Sequence, residues 1–408
     1  MTDVSVPKGA TMKISRVEGD LRTDHGVHVE PEETIIAVTG QVRCEGDADF
    51  RGSLTCSGFS AERGKVRIEG DLRSAGKIEV EHGELRINGS LEGRSVDVDK
   101  ALIVGADAKA DDFDVGGLLE IGGSIIANKV DVGGSFKVKG TAEVDEIDVG
   151  GAVEIIGPLK GSKLDVGGQA TIGGGEVSND VDVGGKFEST KPLKFAKIDV
   201  GGLVTLVQGG HGGSIDVGGK FESNGNLTFE SIDVGGMASI KGNGDGGEID
   251  VGGMLTVSES LTLKEKLEIG GLARIGGALK LDSLEVGGVV EAELIIAQAE
   301  VEVGGRLKTA KGTKAASIKL GNRSKATGPL VAGIVKIGHD AKVDDIYAVQ
   351  LELDHGAKAG NLYFKMGTIG PHAEVFGETL YTDQIEAAPN VRFAKPPSKV
   401  AELPNPPL

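Results

Sequence analysis

The stretch FDVGG, at residues 113–117, returns along the chain as VDVGG, IDVGG and LDVGG. Its last four residues are an acid, an aliphatic residue and two glycines, and this group occurs twelve times in a single regular phase. The spacing between successive copies is constant, except for one extra residue before the tenth copy. The acids that begin the copies are Asp114, Asp131, Asp148, Asp165, Asp182, Asp199, Asp216, Asp233, Asp250, Glu268, Glu285 and Glu302. A repeat this regular is the sequence signature of a repeat architecture.

Apolar residues keep a fixed distance from each acid. With the acid at position 0, they occupy positions −1, +1 and +5 in all twelve copies, and position +7 in most. A spacing of two residues is the period of a β-strand, and about six residues separate one pair from the next. Each repeat therefore predicts three short strands, with equivalent strands stacked about 4.8 Å apart in a parallel β-solenoid.

We call one circuit of this solenoid a coil and expect all-β coils of 16–18 residues. Less regular copies before and after the twelve bring the expected number to roughly twenty, which makes a rod of about 100 Å. Phe195 and Phe229 are expected to lean over the space that glycines leave in neighbouring coils, because protein cores tolerate few voids.

The glycine pair has a structural and a functional interpretation. As a corner between two strands, it predicts a positive φ and a site where a Cβ atom would clash. As a phosphate-binding loop it lacks the G-x-x-x-x-G-K-[ST] spacing and precedes a strand. The acids form a ladder on the outer face. They bind cations or cap the N–H groups of the glycine corner. We favour capping and predict no metal site.

Five segments follow from the repeat pattern. We expect a leader at 1–15, irregular coils at 16–110, regular coils at 111–310, variant coils with an end cap at 311–388, and a disordered tail at 389–408. In the variant coils a polar corner followed by alanine replaces the glycine pair. The tail holds six of the twelve prolines, which favours an extended and mobile chain.

Composition and charge exclude several classes of function. The net charge is −18, which argues against nucleic acid as a partner. Tryptophan is absent, and no run of about 18 apolar residues predicts a membrane span. Attachment to a membrane is left open but has no support in the sequence. Cys44 and Cys56 are expected to be reduced thiols of a cytoplasmic protein.

Two sets of apolar residues are candidates for contact with other chains. Aromatic residues become denser towards the C-terminus, where they cap the solenoid or offer a surface for self-association. These candidates are Tyr363, Phe364, Phe376 and Tyr381. Position +4, just past the glycine corner, holds large apolar residues that point outward for lateral contact or turn partly inward. These candidates are Leu203, Met237, Met254 and Leu272.

No group of residues predicts catalysis or a cofactor. His339 and His355 occupy equivalent positions of successive variant coils and should stack at a corner. Exposed corner histidines are the favoured interpretation, and a bridging metal is the alternative. Acid pairs such as Asp344 and Asp345 have no base or nucleophile in a repeated register. We therefore predict that the chain is not an enzyme.

The coil pattern I-D-V-G-G followed by alternating apolar residues, with a tail behind it, resembles the bactofilin family of polymer-forming cytoskeletal proteins. The resemblance covers residues 60–380. It implies a right-handed parallel β-helix and a structural scaffold that assembles into filaments through end contacts without nucleotide. A bactofilin core has far fewer coils than this chain. The first alternative is a capped monomeric rod or adaptor that presents its tail to a protein partner. The weaker one is a solenoid enzyme that acts on polysaccharide.

Overall fold

The computed structural model describes residues 2–408, and within them all regular secondary structure is β. Two compact units divide the chain, the first ending at Val207 and the second beginning at Gln208. In each unit parallel strands stack as a right-handed β-solenoid, and about 23 coils are counted over both units. The predicted fold class is therefore confirmed, with slightly more coils than the expected twenty.

The first unit contains strands β1 to β30. In chain order they are Val4–Val6, Thr11–Lys13, Arg16–Val17, Leu21–Thr23, Val27–Glu30, Ile35–Val38, Gln41–Cys44, Ala48–Phe50, Ser53–Cys56, Gly58–Ala61, Gly64–Ile68, Leu72–Ser74, Lys77–Val80, Gly83–Ile87, Leu91–Glu92, Ser95–Val98, Ala101–Val104, Ala108–Lys109, Asp112–Val115, Leu118–Ile121, Ile125–Val132, Ser135–Val138, Ala142–Val149, Ala152–Ile155, Leu159–Val166, Gln169–Ile172, Gly175–Val183, Lys186–Ser189, Leu193–Val200 and Leu203–Leu206.

The second unit contains strands β31 to β55. In chain order they are Gly210–Val217, Lys220–Ser223, Leu227–Thr228, Ser231–Val234, Met237–Ile240, Gly244–Gly246, Glu248–Val251, Met254–Val257, Leu261–Leu263, Lys266–Ile269, Leu272–Ile275, Ala278–Leu281, Ser283–Val286, Val289–Ala297, Glu300–Val303, Arg306–Leu320, Lys325–Thr327, Leu330–Ile337, Ile346–Leu353, Lys358–Ala359, Leu362–Ile369, Glu374–Val375, Thr379–Ala387, Arg392–Phe393 and Ser398–Lys399.

The core consists of equivalent side chains stacked on successive coils. Phe113 and Val115 pair in register with Val130 and Val132 of the next coil, and all four are at most 1% exposed. The acid between Phe113 and Val115 points outward because successive side chains of a strand alternate between its two faces. The paired apolar positions of the repeat are thus the inward positions of the solenoid.

The number of separate strands per coil varies. Residues 227–286 show the three short strands that the repeat predicts, as in Leu227–Thr228, Ser231–Val234 and Met237–Ile240. In part of the first unit the third strand of one coil continues into the first strand of the next, as in Ile125–Val132. The chain still bends there, because Asn128 and Lys129 both point outward between two buried pairs.

The glycine pairs are corners, but the predicted positive φ is wrong for them. Among residues 2–408, none of the glycines in the twelve repeated pairs has a positive φ. They lie instead in columns where coils stack closely. A Cβ atom on Gly150 would lie 2.5 Å from the carbonyl oxygen of Gly133, one coil below. The clash with the neighbouring backbone, which we also expected, is what requires glycine.

The expected leader and disordered tail differ from the structure. Val4–Val6 pairs in parallel with Leu21–Thr23, so residues 4–6 already belong to the solenoid. At the other end, Arg392–Phe393 continues the ladder above Glu374–Val375. The composition of these segments gave no sign of strands, because each strand is short and contributes only two or three backbone pairs.

Phe229 confirms the expected complementarity between aromatic side chains and glycines. Its N–H group donates to the carbonyl oxygen of Asp245 on the next coil, and a Cβ atom on Gly246 would overlap its ring. Phe229 is only 4% exposed, and Phe195 is buried to the same extent. The Phe229 ring therefore fills the space that the missing side chain leaves, as close packing of the core requires.

Candidate contact surfaces

The acids of the repeat form a ladder in each unit. In the first unit Asp97 pairs in register with Asp114, and each following repeat acid pairs with the next as far as Asp199. In the second unit the ladder runs from Asp216 to Glu302 and ends where Glu302 pairs with Lys319. All of these side chains are exposed or half-buried.

A second column beside the first ladder offsets part of its charge. Two residues before each acid, residues of opposite charge alternate from coil to coil. They are Asp112, Lys129, Glu146, Lys163, Asp180 and Lys197. Each of the three lysines contacts the acid of its own coil, with Nζ–Oδ2 distances of 3.5, 3.1 and 3.2 Å. On every second coil, therefore, a lysine offsets part of the negative charge of the acid ladder.

The pKa values of two acids and one lysine fit this alternation. Burial raises the pKa of Asp114 and of Asp182, and the carboxylates of the coils above and below raise both further. Both acids lie on coils where the neighbouring column holds another aspartate. On a coil with lysine, the hydrogen bond to Asp165 raises the pKa of Lys163. The ladder is therefore a repelling column that lysines partly neutralise.

Within the described part of the first unit, none of the repeat acids from Asp114 to Asp199 accepts a hydrogen bond from a glycine corner, so the capping interpretation is wrong there. The N–H group of Gly133 donates to the carbonyl oxygen of Val115 at 3.0 Å, one coil earlier. Side-chain caps occur at a different corner. There the Asp71 carboxylate accepts from the N–H group of Ser90 at 2.9 Å, and Asn361 accepts from that of Glu378 at 2.9 Å. Stacking already satisfies the N–H group of the first glycine in each of these pairs.

Three of the four candidates for lateral contact form one stripe in the second unit. Met237 pairs with Met254, Met254 with Leu272, and Leu272 with Val289. We call these four residues the side stripe. Met237 is 49% and Met254 38% exposed, whereas Leu272 and Val289 are half-buried. The fourth candidate, Leu203, lies in the first unit, is half-buried and pairs with a lysine.

The aromatic candidates divide into buried and exposed residues. Phe364 is fully buried and Tyr363 is 7% exposed, so neither ring is available for self-association in this structure. Phe364 instead stacks on Tyr381, with 6.3 Å between ring centroids. Phe376 is 63% exposed. Of the four, Phe376 is the one that presents a large apolar surface to solvent.

The tyrosines of two consecutive coils form a pair outside the core. Tyr347 and Tyr363 are in register, and their ring centroids are 4.8 Å apart. The Tyr363 hydroxyl donates to the Glu378 carboxylate at 2.8 Å. Burial raises the pKa of both tyrosines, which places their hydroxyls in surroundings that disfavour charge. Such a pair is held rigidly on its sheet.

The corner histidines stack as predicted. The ring centroids of His339 and His355 are 6.2 Å apart, and His372 continues the stack 5.1 Å beyond His355. All three are exposed, and His339 Nε2 lies 3.0 Å from the Asp354 carboxylate. Within residues 2–408 no group of three or more histidine, cysteine or acidic side chains could hold a metal ion.

Comparison with family models, curated proteins and solved structures gives no match. Function is therefore argued from the geometry of the contact surfaces. None of the residues 2–408 belongs to a helix with the length and hydrophobicity needed to cross a membrane.

Sequence reasoning left two kinds of contact residue out of its candidates, whereas Val289, which completes the side stripe, follows from position +4 of its repeat. Ile334 and Met366, 38% and 40% exposed, lie on alternate coils of one outward column with Gln350 between them. Their equal spacing along the sequence is the feature from which this column could have been predicted. Residues 401–406 line the same groove as the tyrosine pair, and no periodic signal indicates this because the tail lies outside the repeat.

Proposed function

We propose that this chain is a structural, self-associating scaffold protein with no enzymatic activity. The side stripe carries the proposal, because four large apolar side chains lie in register on neighbouring coils and two of them are well exposed. Contiguous exposed apolar surface of this kind is typical of sites that contact another protein. The partner that we assign to it is a second copy of the chain.

The expected contact is small and depends on concentration. At about 4.8 Å per coil, four coils make a stripe only about 15 Å long. Specific interfaces usually bury about 800 Å² on each partner, so a single stripe contact is weak. End contacts near the exposed Phe376 are the second element of the proposed assembly. Many weak contacts along a filament reinforce one another by effective concentration.

The resemblance to bactofilins supports the same proposal and adds that assembly requires no nucleotide. The proposed location is the cytoplasm. Cys44 and Cys56 are both buried and unpaired, which suits a reducing compartment.

Electron microscopy of the purified protein without nucleotide tests the proposal. We expect assemblies that grow with concentration in the wild type and disappear in a Met237→Lys, Met254→Lys variant. The matched control is Thr228→Lys, Thr262→Lys, which places the same charge on exposed positions of another face of the same unit. Phe376→Arg separates the two contacts, because it should shorten filaments without preventing lateral pairs. Single particles at every concentration would contradict the proposal.

A monomeric adaptor is the second candidate. The placement of residues 401–406 against Tyr347 and Tyr363 favours it, since the chain holds its proline-rich segment in a defined position. Discrete particles that bind a protein through this segment would support the adaptor. No observation favours a solenoid enzyme acting on polysaccharide.

A further inference from the structure

The outward column that contains the tyrosine pair is an apolar face on the second unit. Val331, Tyr347 and Tyr363 lie in register on three consecutive coils. Val349, on the same coil as Tyr347, is 44% exposed. Tyrosines on a rigid sheet offer a large contact area while losing little side-chain entropy when they bind.

The last residues of the chain share a groove with this face. Leu403, Pro404 and Pro406 line a groove of about 400 Å³ together with the two tyrosines. Leu408 reaches further along the second unit, where its Cδ1 atom is 2.8 Å from the position that a Cβ atom on Gly312 would take. Leu403 and Leu408 are half-buried, unlike the exposed residues between them.

The sequence of the segment suits an aromatic groove. Residues 403–408 read LPNPPL, in which three of the six are prolines. Proline fixes φ near −65°, so the segment is largely preorganised in an extended form. Extended proline-rich segments with P-x-x-P spacing are recognised by grooves lined with aromatic side chains. Glu402 of the segment and Lys365 of the sheet, which have opposite charge, both line the groove.

We propose that the face formed by Val331, Tyr347 and Tyr363 is a recognition groove for a proline-rich segment. Its occupant is the segment 401–408 of the same chain. This interaction is independent of the side stripe and adds a peptide-binding site to the proposed scaffold. The contact holds the tail on the variant coils, so release of the tail exposes the groove.

Peptide binding to the full-length protein tests the groove. The probe is a labelled peptide with the sequence AELPNPPL, and the readout is fluorescence anisotropy. A tail-release variant, Leu403→Asp with Leu408→Asp, should bind the peptide at least tenfold more tightly than the wild type. In the wild type the attached segment competes at an effective concentration in the millimolar range. The matched control is Lys395→Asp, which alters an exposed tail residue outside the groove and should behave as the wild type.

Changes on the sheet test whether the peptide binds at this face. Added to the tail-release variant, Tyr347→Ala should weaken peptide binding about tenfold, the factor that 1.4 kcal/mol of lost contact corresponds to. If Tyr347→Ala disturbs folding, Val349→Asp provides a second test at a more exposed position. The chain has no tryptophan and three tyrosines, Tyr347, Tyr363 and Tyr381, so the near-ultraviolet spectrum reports directly on these coils.

Several outcomes would overturn the proposal. One is the absence of peptide binding to the tail-release variant, and another is equal affinity for that variant and the wild type. If neither Tyr347→Ala nor Val349→Asp weakens peptide binding, the peptide binds at another part of the protein. A wild-type dimer that the tail-release variant converts to monomer shows that the segment occupies a neighbouring chain's groove, against the assignment made here.

Discussion

The regular and variant coils of the second unit turn the same kind of corner in two ways. In the regular coils, glycines without a positive φ stack directly on one another, as Gly252 does on Gly235. In the variant coils, one residue of each corner adopts the left-handed conformation. These residues are Arg323, Asp340, Gly356 and His372, with φ between 56° and 68°. The first solution depends on the space between coils and the second on the backbone of a single residue.

The difference explains why glycine is required in one region and optional in the other. A Cβ atom on Gly252 would lie 2.7 Å from the carbonyl oxygen of Gly235, and this backbone has little freedom to move. In the variant coils three of the four left-handed residues carry side chains, at the cost of local strain. One of them, His372, also belongs to the histidine stack.

The largest expected effect is one that the two regions share. Phe221 in a regular coil and Phe364 in a variant coil are both fully buried. Replacing either by alanine should lower the free energy of unfolding by about 3–5 kcal/mol, as found for large cavities in protein cores. Urea denaturation measures both variants. Phe376→Ala, at an exposed position, is the control and should cost less than about 0.5 kcal/mol. A small effect at Phe364 would mean that the variant coils have a looser core.

The next effect should separate the two corners. Gly252→Asn should destabilise the protein by about 1–3 kcal/mol, since the added Cβ atom forces neighbouring coils apart. Gly356→Asn should cost about 1 kcal/mol or less, because asparagine tolerates the left-handed conformation and the nearest obstacle is the movable Asp340 side chain. Equal costs, measured by urea denaturation, would show that the distinction between the two corners is wrong.

The smallest effect concerns charge. Burial, followed by the neighbouring Glu268 and Asp233, raises the pKa of Asp250 above its ordinary value of 3.8. The folded protein then binds a proton more tightly than the unfolded chain. The contribution of Asp250 to stability therefore decreases as pH rises through its folded-state pKa and is most favourable at lower pH. Asp250→Asn should raise stability at pH 7 by roughly 0.2–1 kcal/mol.

The control for this prediction comes from the variant coils. At the equivalent position they hold Lys319 and Lys336, and Lys319 pairs with Glu302 at 2.6 Å. Lys319→Met removes an attraction and should lower stability at pH 7. Two results would contradict the account of the acid ladder. One is a lower free energy of unfolding for Asp250→Asn than for the wild type at pH 7. The other is an unchanged dependence of that free energy on pH between 4 and 7.

Sequence periodicity was sufficient to predict the fold and to place the residues of the side stripe at one repeat position, but it did not settle which way they point, nor the corners or the tail. Phe113 and Val115 could be assigned to the core because the same inward pair recurs once in every regular coil. Gly116 could be assigned to a corner, but its φ depends on how closely coils stack, which one coil does not reveal. The burial of Tyr363 and Phe364 depends on the last coils, where the repeat has changed. The groove that the tail and the tyrosines line together joins distant segments without any shared period.

Disulfide trapping at the side stripe tests the proposed self-association most directly. Met254→Cys adds an exposed thiol, while the natural Cys44 and Cys56 are buried, which raises their pKa to about 12 and about 11 and keeps them unreactive. Under mild oxidation of dilute protein we expect a covalent dimer from Met254→Cys and much less from Thr262→Cys, an exposed position on another face. Equal yields of dimer from the two variants would contradict lateral contact through the side stripe.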